Sequence, residues 1–335
     1  MPTLPFTIID VFSTTPYKGN PLAIVDARTL PALTDTQMQL ITRQFNLSET
    51  TFFFPPTLAG ADYKLRSFLP YGWEVFGAGH NILGVWWYLA QAGVLDLDKA
   101  EKVVKQGKEE FTFWQELGGS VGAVKVLRGV DGKGYEVAIR QARPGAHAEH
   151  RDGLALAGVL GLGEGDVGFP LLAGASVYPR VMSTSTTHHL LVPVKSVEAL
   201  DRAVVQRDKL VEQLDLLDSR AHGIFWFTPV EGKGGVPTFQ ARFYSRGMTA
   251  EDPATGSAAG PLSAYLYKSG VLKLENGKAR ILVYQGLKIG RECVIEVVLT
   301  VSNEGGEEVL DVDIVGSGAE VAKGEISLPD LSTVF

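Results

Sequence analysis

Hydrophobic and polar residues alternate along many short stretches of this chain, and each such stretch predicts a half-buried strand. Phe6 to Phe12 and Leu22 to Val25 are the first two, separated by the turn residues Tyr17-Lys-Gly-Asn-Pro21. Thr34-Asp35 then predicts a helix start, with Met38, Ile41 and Phe45 on one face. A polar break, Asn46-Leu-Ser-Glu-Thr50, leads into the β-rich run Thr51-Phe-Phe-Phe54. Tyr63 to Leu69 reads as a strand feeding a helix from Gly79 to Gln91. That helix is apolar nearly all round (Ile82, Leu83, Val85, Trp86, Trp87, Leu89), as expected of a helix buried at the centre of a core. Val103 to Glu116 predicts a strand, and Val121 to Ile139 a hairpin turning at Asp131-Gly132. Residues 141 to 175 are rich in Gly and Ala and predict no clear element. Beyond them the pattern predicts a strand at His188 to Val194. One amphipathic helix follows from Val197 to Leu217, with Val204, Val205, Val211, Leu214 and Leu217 inward. Ile224 to Thr228, Val236 to Ser245, Ile281 to Tyr284, Cys293 to Val301 and Val309 to Val315 complete a strand-rich second half.

The most informative stretch runs from Phe239 to Leu266. A strand ends near Ser245, a loop carries the carboxylate pair Glu251-Asp252, and a helix begins at Gly256-Ser257. The first helical turn is small (Gly256, Ser257, Ala258, Ala259, Gly260), so its backbone N–H groups stand unobstructed. A bare helix N-terminus is an anion site, through its free donors and the helix dipole. The chain makes this element twice. A shift of 177 residues places Gly256 on Gly79, Tyr265 on Tyr88, Leu266 on Leu89, Glu251 on Glu74 and Gly270-Val-Leu272 on Gly93-Val-Leu95. One residue out of that register, Arg242 falls on Arg66. A Gln-Gly pair follows each helix, Gln106-Gly107 and Gln285-Gly286. The repeat predicts two similar halves, an α+β fold in which each half wraps strands around one buried helix. The junction is expected near Leu117-Gly-Gly-Ser120, giving domains of 1–118 and 119–335, with the last few residues packing back on the first.

Composition narrows the function. The chain has 335 residues, 45% hydrophobic and 21% charged, with a formal net charge of −7. That charge argues against nucleic acid and anionic membrane surfaces as partners. The single cysteine, Cys293, lies in an apolar run and cannot form a disulfide within the chain. Neither a signal peptide nor a stretch of 18 apolar residues is visible, so the expected address is the cytoplasm. No phosphate loop or dinucleotide fingerprint stands in strand–loop–helix context. Gly161 to Gly168 precedes Phe169-Pro170 rather than a helix and reads as a loop. His188-His189 cannot comfortably ligate one ion, because adjacent strand residues point to opposite faces.

Three residues carry candidate chemistry. Glu49 stands at a break beside three phenylalanines; a carboxylate losing water there favours its neutral form, which suits proton transfer. His80 is one residue into the buried helix, where the dipole disfavours imidazolium and leaves a neutral ring able to donate or accept at a carbonyl or enol. Asp252 precedes the second helix. An exposed loop glutamate, a satisfied core histidine and a turn-capping aspartate are the plainer readings of the same three residues. Ser257 holds the place that His80 has in the other half. It has no nucleophile-elbow setting, and no Ser-His-Asp or Cys-His arrangement is legible.

These residues resemble the phenazine biosynthesis-like (PhzF-like) family, which shares its fold with diaminopimelate epimerase and proline racemase. The likeness runs from end to end: Asp10-Val-Phe12 with Gly19-Asn-Pro21, Asn46-Leu-Ser-Glu-Thr50, Gly77-Ala-Gly-His80, Glu251-Asp-Pro-Ala-Thr-Gly-Ser-Ala-Ala-Gly260, Gln285-Gly286 with Gly290-Arg291, and Val315-Gly316. The resemblance implies two domains, each a barrel-like sheet around a central helix, with the active site in the cleft between them. It implies Glu49 as the acid/base, assisted by His80 and Asp252, with Gly79, Asn81, Gly256 and Ser257 lining a site for a small carboxylate. It further implies a homodimer and a reaction needing neither cofactor nor metal. The best-known family activity is isomerisation of trans-2,3-dihydro-3-hydroxyanthranilate. Epimerisation or racemisation of an amino or hydroxy acid, and non-catalytic binding of a small molecule, are the alternatives. The two cysteines of the racemase relatives are replaced here by His80 and Ser257, which excludes a two-thiol mechanism. This chain also departs from the family pattern at Gly79-His-Asn-Ile82 and at Leu69 to Phe76, where Tyr71 and Trp73 are expected to reshape the pocket.

Overall fold

The computed structural model describes residues 2–333 apart from 31, 77–78, 106, 130, 133, 169–176, 185 and 249. Gly77-Ala78, Gln106 and Phe169-Pro170, used in the sequence reading, therefore lie outside the described residues. The chain runs β1 (Thr3–Val11), β2 (Asn20–Asp26), α1 (Asp35–Phe45), β3 (Glu49–Phe54), β4 (Tyr63–Phe68), β5 (Glu74–Val75), α2 (Gly79–Gln91), β6 (Glu101–Lys105), β7 (Lys108–Leu117), β8 (Ser120–Gly129) and β9 (Tyr135–Arg140). It continues with β10 (Pro144–Glu149), α3 (Gly153–Leu160), β11 (Arg180–Thr184), β12 (Thr187–Pro193), α4 (Val197–Arg202), α5 (Arg207–Leu217), β13 (Ala221–Val230), β14 (Thr238–Ser245), α6 (Gly256–Lys268), β15 (Lys278–Gln285), β16 (Cys293–Glu304), β17 (Glu307–Gly316) and β18 (Gly318–Ser327). Two compact units result, one of residues 1–139 with 315–335 and one of residues 140–314.

In the first unit β1 pairs antiparallel with β2, β2 parallel with β3, β3 antiparallel with β4, β4 parallel with β7, and β7 antiparallel with β8. The second unit repeats this order. β11–β12 are antiparallel, β12–β13 parallel, β13–β14 antiparallel, β14–β15 parallel and β15–β16 antiparallel. Helices α2 and α6 occupy the same place in the two orders, and each is 13 residues long. Ten residues of each are buried, so both are central rather than surface helices. α2 touches β1, β2, β3, β8 and β18, and α6 touches β10, β11, β12 and β16, so in each unit strands distant in the chain order curl onto one helix. The repeat seen at a shift of 177 residues is thus a repeat of the fold. Its Gln-Gly landmark is not part of it. Gly107 lies in the turn before β7, whereas Gln285 closes β15, the strand equivalent to β7.

The aromatic run of β3 shows how each sheet is covered. Phe52 and Phe54 face a cluster with Met38 and Ile41 of α1, while the ring of Phe53, pointing the other way, meets Tyr88 of α2 at 6.3 Å. A strand buried on both faces reads as an unbroken apolar run, which is what 52–54 shows. In the second unit Ile224 and Trp226 join a cluster with Leu156 of α3, Leu200 of α4 and Leu214 of α5, and Phe227 meets Tyr265 of α6. Thr34 caps α1 in a full capping box with Gln37.

Three expectations change. Val103 to Glu116 is not one strand: β6 and β7 pair antiparallel across a turn that contains Gly107 (φ 75°). Leu117-Gly-Gly-Ser120 is not a linker at 118–119. Leu117 and Ser120 are opposed residues of the β7–β8 hairpin, and Gly118 and Gly119 supply its positive φ values of 56° and 79°. The chain instead passes from one compact unit to the other at residues 139–140 and 314–315. The single helix expected over 197–217 is two. α4 stops at Ala203, and residues 204 and 206 donate backbone hydrogen bonds to Leu160 and Val159 at the end of α3, so Val204 turns out to solvent. No described helix is long and apolar enough to cross a membrane.

Candidate active site

Glu49 is the first residue of β3. Asn46 ends α1 in the left-handed region (φ 51°, ψ 36°), and three residues later the chain is already paired with β2, Leu22 opposite Glu49. This fixes the Glu49 side chain, 14% exposed, at the edge of the sheet beside the start of α2. His80, the second residue of α2, is 8% exposed, and its Nε2 lies 3.2 Å from Glu49 Oε2. The distance suits an ion pair or a proton exchange, but its angle makes no hydrogen bond, and Oε2 of Glu49 accepts none. Asn81 is 1% exposed, with both side-chain amide atoms covered and without a hydrogen bond. The loop before α2 is tied by Arg66, whose guanidinium forks onto Glu74 (Nε to Oε1, 2.8 Å) and reaches Asp35 at 2.7 Å. Tyr71 and Trp73, expected to shape the pocket, are 71% and 73% exposed.

The second unit builds the equivalent place with different chemistry. Arg242 forks onto Glu251 as Arg66 does onto Glu74, and its Nη1 also donates to the carbonyls of Leu200 and Ala203. These clamps are the Arg and Glu that the sequence matched between the halves. Each fastens the acidic loop one turn ahead of its helix. Gln285, fully buried at the end of β15, then staples the rest of the loop. Its Oε1 accepts from Thr255 N–H at 2.9 Å, and its Nε2 donates to the Asp252 carbonyl at 2.8 Å and to Thr255 Oγ1 at 2.9 Å. Gly286, next in the chain, has φ 79°, and a Cβ there would sit 2.0 Å from the Arg291 carbonyl oxygen, so no other residue fits.

The staple decides what the helix start does. Thr255 is the N-cap of α6, yet its hydroxyl donates to Asp252 Oδ2 at 2.6 Å instead of capping the helix. The backbone N–H groups of Gly256 and Ser257 consequently have no hydrogen-bond acceptor among the described residues. Ser257 is half-buried, and its Oγ lies 2.9 Å from Nε2 of His189. His189 and its neighbour do diverge as strand geometry requires. His188 Nδ1 meets Asp218 at 2.9 Å on the opposite face. There His147 brings a further donor atom within 4.8 Å. The His147 and His188 rings stack at 4.4 Å, so their in-plane lone pairs do not converge, and Arg220 already pairs with Asp218.

The structure thus brings Glu49 and His80 together in one unit, and Asp252, Gly256 and Ser257 together in the other. The roles of Gln285, His189 and the two arginines were not legible. The only trace of them was the match of Arg242 with Arg66, and the Gln-Gly landmark.

Comparison with known proteins identifies the family and the fold. Residues 9–324 match the model of the family described as phenazine biosynthesis-like protein. The trans-2,3-dihydro-3-hydroxyanthranilate isomerase of Pseudomonas fluorescens is 29% identical over 326 residues, covering 96% of this chain and 99% of that one. A Pseudomonas aeruginosa structure described as a predicted epimerase superposes with a TM-score of 0.70 at 28% identity, over 96% of this chain and 99% of that chain. The fold is shared with a PhzF-family phenazine biosynthesis protein of Bacillus anthracis, TM-score 0.79 at 24% identity, over 98% of this chain and all of that one. The chain belongs to the phenazine biosynthesis-like family and is an isomerase of the PhzF type.

Proposed function

We propose that the protein shifts a proton within a small carboxylic acid of the amino-cyclohexadiene type, as in the isomerisation of trans-2,3-dihydro-3-hydroxyanthranilate, without a cofactor. The observation that carries this reading is the covered Glu49 carboxylate oxygen 3.2 Å from His80 at the start of a buried helix. In this reading Glu49 removes the proton from an activated carbon and returns it at another carbon of the conjugated system. His80, at the start of α2, hydrogen-bonds the enol-like intermediate. The substrate carboxylate takes the unpaired N–H groups of Gly256 and Ser257, where the dipole of α6 favours negative charge. Asp252, fixed by Thr255, positions the amino-bearing end of the substrate. Gly79 keeps the approach to the start of α2 clear, and Asn81 backs His80. A homodimer in the cytoplasm accords with the family resemblance.

Purified protein, treated with chelator, is given trans-2,3-dihydro-3-hydroxyanthranilate and followed by proton NMR. Loss of its ring-proton signals with appearance of the isomer supports the reading. An unchanged substrate at stoichiometric enzyme removes this substrate class. A second reading, epimerisation of an amino or hydroxy acid by Glu49, is supported by the description of the Pseudomonas aeruginosa relative. It predicts loss of optical purity with deuterium entering at the stereocentre.

A further inference from the structure

His189 belongs to β12 and is 3% exposed, packed edge-on against Phe243 at 4.9 Å and near His222 at 6.4 Å. Among the described residues its ring makes one hydrogen bond, to Ser257 Oγ, and its Nδ1 is covered with no partner. Burial, reinforced by His222 and His188, holds its pKa down at about 3, so the ring is neutral at working pH. A neutral imidazole has one N–H and one lone pair. With the proton on Nδ1, a buried N–H would be stranded and the ring would consume the Ser257 hydroxyl proton. With the proton on Nε2, only a lone pair is left unmatched. Buried orphan donors are the rarer and costlier case, so the Nε2–H tautomer is selected.

We propose that His189 is a positioning residue for anion recognition: its Nε2–H donates to Ser257 Oγ and turns the Ser257 hydroxyl proton outward, to be donated to a substrate carboxylate. Ser257 Oγ has no other hydrogen bond among the described residues, and the backbone N–H groups of Gly256 and Ser257 stand unpaired at the same helix start. Three donors then serve one anion, and none of them is spent within the protein. A histidine set aside as a strand residue thereby decides that the pocket takes an acceptor at this point rather than a donor. The inference rests on the carboxylate reading of the α6 start given above.

The test has two arms. In histidine-labelled protein, long-range proton–nitrogen correlation NMR identifies the His189 tautomer without any ligand. The Nε2–H pattern is expected, and the Nδ1–H pattern overturns the proposal. In the second arm anthranilate, an unreactive amino-substituted ring acid, is titrated against wild type, His189→Phe, His189→Gln and Ser257→Ala. His189→Phe keeps the ring volume but removes the donor, and is expected to weaken binding about tenfold. His189→Gln carries an N–H at the same number of bonds from the backbone and is expected to restore binding to within about threefold. In the Ser257→Ala background His189→Phe has no further effect, because the route runs through that hydroxyl. Equal affinity of wild type and His189→Phe overturns the proposal. Should wild type itself not hold anthranilate, the failure falls on the proposed substrate class, and the tautomer alone decides the role of His189.

Discussion

Gln285→Leu removes the staple that holds Asp252 and Thr255 while nearly conserving side-chain volume. Three hydrogen bonds are lost, at 2.8, 2.9 and 2.9 Å. Two of them leave backbone groups without a partner, the Thr255 N–H and the Asp252 carbonyl. Each orphaned group costs roughly 1–3 kcal/mol. Thr255 is 6% exposed and bears the full penalty, whereas Asp252 is half-buried and its carbonyl is partly rewetted. The total is about 3 kcal/mol, felt first where α6 begins. Amide hydrogen exchange of the peptide spanning the α6 start reads this directly. With each 1.4 kcal/mol worth a factor of ten, exchange there is expected to quicken about a hundredfold. Peptides of α2, in the other unit, are expected to keep their wild-type rates. Released from Gln285, the Thr255 hydroxyl can rotate to cap the helix, so carboxylate binding should weaken as well. Exchange at the α6 start within threefold of wild type, in a folded variant, would refute the view that Gln285 organises this loop.

The two arginine clamps should differ in weight. Arg242 and Glu251 are 7% and 15% exposed, and Arg66 and Glu74 are 21% and 23% exposed. Lysine cannot reproduce the fork, so Arg242→Lys is expected to cost roughly 3 kcal/mol and Arg66→Lys about 1, read as urea midpoints. Acid stability should carry the signature of His189. Its folded pKa of about 3 lies below the unfolded value near 6.5, so the stability it contributes is present above pH 6.5 and is lost as pH falls toward 3. Between pH 6.5 and 5 the carboxylates held down to about 2, Glu116 and Asp218, remain charged and do not interfere. His147 and His222, also lowered by burial, titrate in the same direction. Denaturation at stepped pH should therefore show His189→Gln losing about 1.4 kcal/mol less per pH unit than wild type.

Much of this fold was legible because its signals are local. Period-two alternation marked β1, β2, β4 and β14. The β-rich run 51–54 marked β3, and Gly starts, with a small first turn at Gly256, marked α2 and α6 at their true positions. The repeat register worked because both halves need the same Arg–Glu clamp ahead of the same kind of helix. The readings that changed depend on tertiary partners. Gly118-Gly119 has the composition of a linker, yet only its pairing across Leu117 and Ser120 shows that it is a hairpin turn. Val197 to Leu217 keeps a helical period through residues 203–206, which the end of α3 pulls into extended backbone. In the site, Glu49, His80 and Asp252 stand out by residue type and by place. His189 and Gln285 act through side-chain contacts with Ser257, Asp252 and Thr255, distant in sequence by 68, 33 and 30 positions. No spacing rule reports contacts of that kind.

The central claim is that Glu49 carries the proton, and isotope placement tests it most directly. Wild type and Glu49→Gln are each incubated in D₂O with trans-2,3-dihydro-3-hydroxyanthranilate, and the ring positions are followed by proton NMR. The account predicts that wild type forms the isomer, with deuterium at the one carbon to which Glu49 returns a proton, in the fraction of turnovers in which the Glu49 carboxyl exchanges with D₂O before that return. The Glu49→Gln variant, folded and still binding anthranilate, should do neither at a rate above about a thousandth of wild type. Isomer formed by Glu49→Gln at a rate within tenfold of wild type would contradict it and hand the proton to another group.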